Sequence, residues 1–242
     1  MSKAICGKHA IEEWIKAHPG EGTLLIAKRT KRNTKLEEYA RSQGTQIGEA
    51  SEREIENITD TSDHRGAALQ LPYHSKNNTS VNLKEFLKQL KKEKSVVLVL
   101  DSITDPHNYG AILRSADLFG VDLVIRTERR SAKETETVAR TSAGAIHYVP
   151  LCEVTNLARS LEELKKEGFW IFGADMDGEP CRQADLRGRT CIVMGREGAG
   201  LHKLIQEKCD MLISIPTKGH VDSLNVSVAT GVLLYETHRQ NM

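Results

Sequence analysis

Aromatic residues make up only 5% of the 242 residues, so no stacking platform for bases is in view and any nucleic-acid contact has to rest on shape and phosphates. Cysteine occurs five times, at Cys6, Cys152, Cys181, Cys191 and Cys209, with no CxxC pair. That pattern supports neither a zinc site nor a disulfide framework and leaves buried thiols as the expectation. An excess of charge is also missing. Lys+Arg 34 against Asp+Glu 33 leaves a formal +1, which argues against a chain that coats nucleic acid nonspecifically, though not against local patches. The longest aliphatic run, Val96 to Leu100, falls far short of the roughly 20 residues that cross a bilayer. The opening MSKAICGKHA has no apolar signal core, so a cytoplasmic protein without membrane contact is expected. Neither GxGxxG after a strand, GxxxxGK[ST], HExxH nor GxSxG occurs, which removes the usual dinucleotide, P-loop, metalloprotease and serine-hydrolase signatures. His107 stands in a loop without an identifiable partner and reads as a surface or turn residue.

What is present is an ordinary globular balance, 39% hydrophobic and 28% charged, in a length that allows one to two domains. Residues 1–72 alternate short elements: a helix over Lys8–Ala17 with Ile11, Trp14 and Ile15 on one face, a strand at 23–28, a helix over Lys35–Ser42, a helical stretch over Arg53–Ile58 and a strand over Ala67–Leu71. Residues 73–82 are polar and turn-forming, as in a linker. Asn82 and Glu85 resemble a capping box that opens a helix, and the second domain, 83–242, starts there. Within it aliphatic runs (VVLVLD, DLVI, YVPL, FWIFGA, CIVMG, MLISIP) alternate with helices at 111–119, 135–142, 157–166, 201–208 and 226–238. Strands apolar along their whole length and separated by helices predict a parallel sheet covered on both faces. Ligands are then expected beyond the strands' carboxyl ends.

Three strand-end loops concentrate glycine, short polar side chains and charge. In DSITDPHNYGAILRSAD, Pro106 predicts a turn, Asn108 and Gly110 precede a helix, and Arg114 lies inside it, able to hold a phosphate or carboxylate bidentately or simply to face solvent. In VMGREGAGL, three glycines allow either a close backbone approach to a ligand or a tight strand-to-helix turn, with Glu197 among them. In ISIPTKGHVDSLNVSVATGVLLYE, Ser223 can cap a helix, while Leu224 among Ser223, Asn225 and Ser227 offers amides, short polar groups and an apolar surface for a flat ring. Separately, Lys28, Arg29, Lys31 and Arg32 form a basic run after a strand, readable as an RNA contact or as a solvated loop.

Taken together and in order, NYGAILRSADLFGVD, VMGREGAGL and SIPTKGHVDSLNVSVATGVLLYE resemble the signature segments of the SpoU/TrmH family of RNA ribose 2′-O-methyltransferases, and SAGAIHYVPL resembles a further one. ICGKHAIEEWI and DHRGAALQL resemble the substrate-binding domain, similar to ribosomal protein L30e, that precedes the catalytic domain in one branch. The nearest likeness is to the bacterial branch that methylates a guanosine ribose in 23S rRNA. The resemblance implies an α/β fold in which residues 83–242 form a trefoil-knotted parallel-sheet (SPOUT) methyltransferase domain behind a small L30e-like RNA-binding domain. It further implies S-adenosylmethionine as cofactor, RNA as partner, a homodimer whose subunits complete one site, and no metal. Motif matching places cofactor contacts on Gly195, Ile215 and Leu224, with Met194, Pro216 and Gly173 lining the pocket. The catalytic set it carries over is Asn108, Arg114, Glu197, Ser223 and Asn225: Arg114 on the phosphate beside the target ribose, Glu197 and Asn108 ordering it, Ser223 and Asn225 orienting the 2′-hydroxyl. Asp222, where related sequences often have a small or neutral residue, and Arg65, where glutamine is commoner, bear on the RNA target rather than the reaction. A tRNA ribose as target, and a catalytically silent RNA-binding assembly factor, are the alternatives.

Overall fold

The computed structural model describes residues 4–27, 33–59, 61–71, 80–128, 131–132, 135–220 and 223–242. Lys28, Arg29, Lys31 and Arg32 lie outside the described residues, as do Asp222 and most of the linker. In chain order the first elements are β1 (Ala4–Cys6), α1 (Lys8–Ala17), β2 (Thr23–Ala27), α2 (Thr34–Ser42), β3 (Gln46–Ala50), α3 (Glu52–Thr59) and β4 (Ala67–Gln70). There follow α4 (Leu83–Gln89), β5 (Ser95–Leu100), α5 (Pro106–Leu118), β6 (Leu123–Thr127), α6 (Glu136–Thr141) and β7 (Leu151–Val154). The last are α7 (Leu157–Lys166), β8 (Trp170–Pro180), β9 (Arg189–Met194), α8 (Lys203–Gln206), β10 (Met211–Ser214) and α9 (Val226–Asn241).

Contacts divide the chain into two compact units, one of residues 1–78 with 134–148, the other of 79–133 with 149–242. In the first, the sheet order is β1-β4-β2-β3, with β2 and β3 parallel and β4 antiparallel to both its neighbours. The apolar stripe of α1 buries Ala10, Ile11, Trp14 and Ile15, the helical spacing that drives an amphipathic helix onto a sheet. Residues 134–148, which the sequence reading placed inside 83–242, group with this unit. Tyr148 Oη donates to Glu13 Oε2 at 2.6 Å, and the rings of Trp14 and His18 stack at 4.5 Å with His147 edge-on at 6.2 Å to each.

The second unit is a six-stranded sheet in the order β10-β8-β9-β5-β6-β7, every pairing parallel. Val97 to Val99, Leu123 to Ile125 and Cys191 to Val193 have no solvent exposure, as all-apolar strands sandwiched between helices require. Several boundaries depart from the sequence reading. Helix α5 begins at Pro106, not Ala111, because Asp105 caps it, accepting from His107 N at 3.1 Å and Asn108 N at 3.2 Å, with proline at the first position where its missing N–H costs nothing. Strand β7 starts at Leu151, the last residue of the YVPL run. Helix α8 holds only Lys203–Gln206. Strand β8 extends to Pro180 because β10 pairs with it twice, Leu212 with Gly173 and then Ile213 with Glu179. Residues 174–178 bulge out between the two pairings. Among the described residues no helix is long and apolar enough to cross a membrane.

Candidate active site

Adjacent strands β10, β8, β9 and β5 bring their carboxyl ends together, and the loops that leave them converge. After β9 the chain doubles back: Arg196 N donates to Gly200 O at 3.2 Å and Gly200 N to Arg196 O at 3.0 Å. A Cβ on Gly195 would lie 2.3 Å from the Gly200 carbonyl carbon, so only glycine lets this turn close. The turn carries Glu197. After β5, Asp101 N donates to Met194 O at 2.8 Å, tying the two loops at their roots. Asp105 and Pro106 then start α5 and place Asn108 in its first turn. After β10 the chain runs to Asn225, the cap of α9, whose Oδ1 accepts from Ser227 N at 2.9 Å.

Three of the five predicted catalytic residues meet here. Asn108 Nδ2 donates to Glu197 Oε2 at 3.3 Å, Asn225 Nδ2 to Glu197 Oε1 at 3.2 Å, and Asn225 Nδ2 also to Asn108 Oδ1 at 2.9 Å. The caps fix the geometry: Asn225 Oδ1 is engaged by Ser227, so its amide nitrogen must point into the triangle. Each carboxylate oxygen of Glu197 thus holds one amide. A cleft of about 370 Å³ opens beside the triangle, bordered by Ser102 to Asp105, Asn108, Arg196, Glu197, His202 and Val226. Ser102 takes a left-handed φ of 65° there, unusual for a residue with a Cβ and frequent at functional loops.

Arg114 and Ser223 do not join this network. Arg114 is exposed, does not border the cleft, and has no hydrogen-bond or ion-pair partner among the described residues. The physical reason is the early start of α5. Counted along one continuous helix, Arg114 lies six residues beyond Asn108, rotated by about 240°, and so it faces away from the loop it was expected to reach. The buried arginine of this unit is Arg126 on β6, 5.0 Å over the Tyr109 ring and paired with Glu153, which holds α5 against the sheet. Ser223 is exposed.

Of the residues predicted to line a cofactor pocket, Gly173, Met194 and Gly195 sit at neighbouring strand ends, with Gly173 paired to Val193 and to Leu212. Ile215 and Pro216 follow β10 directly, half-buried and exposed respectively. Leu224, 38% exposed, precedes Asn225. At Gly173 the ends of the Cys209, Leu201 and Leu212 side chains stand 2.8 to 2.9 Å from where a Cβ would lie, so these three close over the bare backbone. Burial keeps thiols protonated: that of Cys209 is pushed up to about 12, and Cys191, fully buried, is raised well above its ordinary value by the same cause. His107 is exposed. Among the described residues no group of three or more His, Cys, Asp or Glu is placed to hold a metal ion.

Sequence reasoning missed Asp101 and His202. Asp101, 3% exposed, accepts from His202 N at 2.9 Å and lies 2.8 Å from His202 Nδ1. Asp101 opens a strand-end loop already singled out and His202 directly follows another, VMGREGAGL, but no sequence spacing links two groups a hundred residues apart.

Residues 95–235 match the model of the SpoU rRNA methylase family, and residues 4–76 match that of the RNA 2′-O ribose methyltransferase substrate-binding domain. A protein of Borreliella burgdorferi named "Uncharacterized tRNA/rRNA methyltransferase" is 43% identical, covering 90% of this chain and 97% of its own. A protein of Staphylococcus epidermidis, named for the TrmH family of tRNA/rRNA methyltransferases, is 39% identical over 98% of this chain and 95% of its own. The crystal structure of the SpoU methyltransferase AviRb from Streptomyces viridochromogenes superposes with a TM-score of 0.78 at 22% identity, covering 99% of this chain and 89% of that one. A second structure of that protein, in complex with AdoMet, gives 0.76.

Proposed function

The chain belongs to the SpoU rRNA methylase family, and from that premise we propose that it methylates the 2′-hydroxyl of a guanosine ribose in 23S rRNA, acting as a homodimer. It is an RNA methyltransferase, its amino-terminal unit is an RNA substrate-binding domain, and its cofactor is S-adenosylmethionine. The observation that carries the reading is the Asn108–Glu197–Asn225 triangle at the carboxyl edge of the sheet. A catalytically silent scaffold has no use for three polar side chains that satisfy one another beside an open cleft.

The residues present fit the cofactor. Ile215, Pro216 and Leu224 leave apolar surface uncovered on the loop that ends at Asn225, which suits a flat ring, and the tightly folded Gly195 turn presents bare backbone. Bound there, S-adenosylmethionine would supply an activated methyl group on a sulfonium whose leaving group, a neutral thioether, needs no acid. What remains for the protein is alignment, exclusion of water and removal of one proton. Alignment alone is worth up to roughly 7 to 11 kcal/mol in the best intramolecular models. Asn108 and Asn225 hold Glu197, and with it the turn 195–200, in one conformation.

The homodimer gives Arg114 its place. Leu118, one turn beyond Arg114 on α5, is 69% exposed, and Val228, Val232 and Tyr235 on α9 are 52%, 38% and 52% exposed. Phe119 and Tyr235 are in ring contact at 6.0 Å, so this is one apolar surface shared by two packed helices. A second copy covering it would carry Arg114 to the interface, within reach of an RNA phosphate beside the partner's cleft, where a planar guanidinium binds bidentately. Transfer of labelled methyl from S-adenosylmethionine to isolated 23S rRNA and to tRNA tests the target. Label on the rRNA ribose is expected; label on tRNA alone assigns the chain to the tRNA reading and overturns the rRNA one.

A further inference from the structure

Methyl transfer to a ribose hydroxyl releases a proton, and in the network described so far the carboxylates are engaged in holding loops and helix ends in place. Both oxygens of Glu197 hold side-chain amides. Both oxygens of Asp105 hold backbone N–H groups of α5. Arg114 is a guanidinium, already protonated. His202 is the one imidazole bordering the cleft among the described residues. Resting on the ribose-methylation reading above, we propose that His202 is the proton acceptor and that Asp101 is its positioning residue.

The geometry is that of an oriented imidazole. Nδ1 lies 2.9 and 2.8 Å from the two carboxylate oxygens of Asp101. The same carboxylate accepts from His202 N at 2.9 Å and from Ser102 Oγ at 3.2 Å. Asp101 cannot swing away, because it is buried and its own N–H continues the β5–β9 pairing onto Met194 O. A carboxylate only accepts, so Nδ1 carries the ring hydrogen and Nε2 of the neutral ring is left as a free acceptor. Such an arrangement fixes the tautomer, aims the ring, and stabilises the imidazolium once formed. Besides Asp101 against the ring, the charged groups that border the cleft are Asp105, Glu197 and Arg196. In the transfer, the ribose oxygen bonds to the methyl carbon as the carbon–sulfur bond breaks with its electron pair left on sulfur. The oxygen's proton passes to Nε2, and the resulting imidazolium loses it to water after product leaves.

The test uses the full-length protein. Replacement His202→Asn keeps an amide nitrogen in the place of Nδ1, and so the tie to Asp101, but removes the base. Single-turnover methyl transfer to RNA is measured from pH 5.5 to 9 alongside calorimetric binding of S-adenosylmethionine. The wild type is expected to lose about tenfold in rate per pH unit on the acid side and to level off above it. In His202→Asn the plateau falls by about 10² to 10⁴-fold and the acid limb disappears, while cofactor affinity holds. Imidazole in the buffer restores rate to His202→Gly but not to wild type. Nitrogen NMR of the free protein on the basic plateau shows hydrogen on Nδ1 and none on Nε2. His202→Asn active within threefold of wild type, an unchanged acid limb, or hydrogen found on Nε2 overturns the proposal. A wild-type protein that places no methyl on any RNA ribose overturns instead the reading on which it rests, and the proposal with it.

Discussion

Asn225 does two jobs that substitutions can separate. Its Oδ1 caps α9 through Ser227 N at 2.9 Å and Ser227 Oγ at 2.6 Å, while its Nδ2 bridges Asn108 Oδ1 at 2.9 Å and Glu197 Oε1 at 3.2 Å. Removing a helix cap costs about 1 kcal/mol. Two hydrogen bonds at an exposed side chain add roughly 1 kcal/mol each. Asn225→Ala is therefore expected to lose about 3 kcal/mol, and Asn225→Ser, whose hydroxyl still caps, about 2 kcal/mol. For a domain of this size each kcal/mol is worth about 2 to 4 °C in Tm. Thermal unfolding should then place Ser between wild type and Ala. Asn225→Asp keeps the cap but turns a donor into a second carboxylate beside Glu197, which repels it. Its Tm should fall less than that of Ala, while methyl transfer falls at least as far as in Ala. Equal Tm values for Ala and Ser would refute the capping argument, and wild-type turnover in Asn225→Asp would refute the role of the triangle.

Gly195→Ala should disrupt the turn outright, because the added Cβ meets Gly200 and Leu201 backbone at 2.3 to 2.5 Å. A Tm loss of at least 2 °C, for a cost of about 1 to 3 kcal/mol, and no measurable methylation are expected, read by scanning calorimetry and label transfer. Arg114→Lys should leave Tm and cofactor binding unchanged yet lower RNA methylation nearly as much as Arg114→Ala, since a point charge cannot replace a planar fork. The amino-terminal unit should be acid-sensitive. Burial, with the neighbouring His18, lowers His147 from 6.5 to about 4, so between those pH values the unfolded chain takes up a proton that the folded one refuses. Stability should then decline by about 1.4 kcal/mol per pH unit as pH falls through that window. Denaturant titrations at pH 7 and pH 4.5 check it, with His147→Gln removing the part of the slope that belongs to this ring.

The parallel sheet was legible because each central strand is an uninterrupted apolar run, and burial on both faces permits nothing else. Strands β1 and β3 were not. β1 has three residues, and QIGEA reads as polar because β3 lies at the sheet's edge, where Gly48 lets Leu25 of β2 come within 2.8 Å of where a Cβ would stand. In the candidate site, the meeting of Asn108, Glu197 and Asn225 was legible because each lies in or beside a strand-end loop and belongs to a motif. Arg114 stands apart from the triangle because the Asp105–Pro106 cap starts α5 at 106 rather than 111, and the continuous helix turns the guanidinium outward. Asp101 and His202 were invisible because their partnership exists only once β5 and β9 lie side by side. Residues 134–148 look like part of the second sheet's helices in sequence, yet His147 and Tyr148 find their partners on α1.

The account's central claim is that the strand-end loops of the second unit form one cavity in which a methyl donor faces a sugar oxygen. A crystal structure of the protein with S-adenosylmethionine tests it most directly. The account predicts the donor seated against Gly195, Ile215 and Leu224 with its methyl group directed toward the cleft bounded by Asn108, Glu197 and His202. A donor bound elsewhere, or one whose methyl group is walled off from that cleft in every subunit, contradicts it.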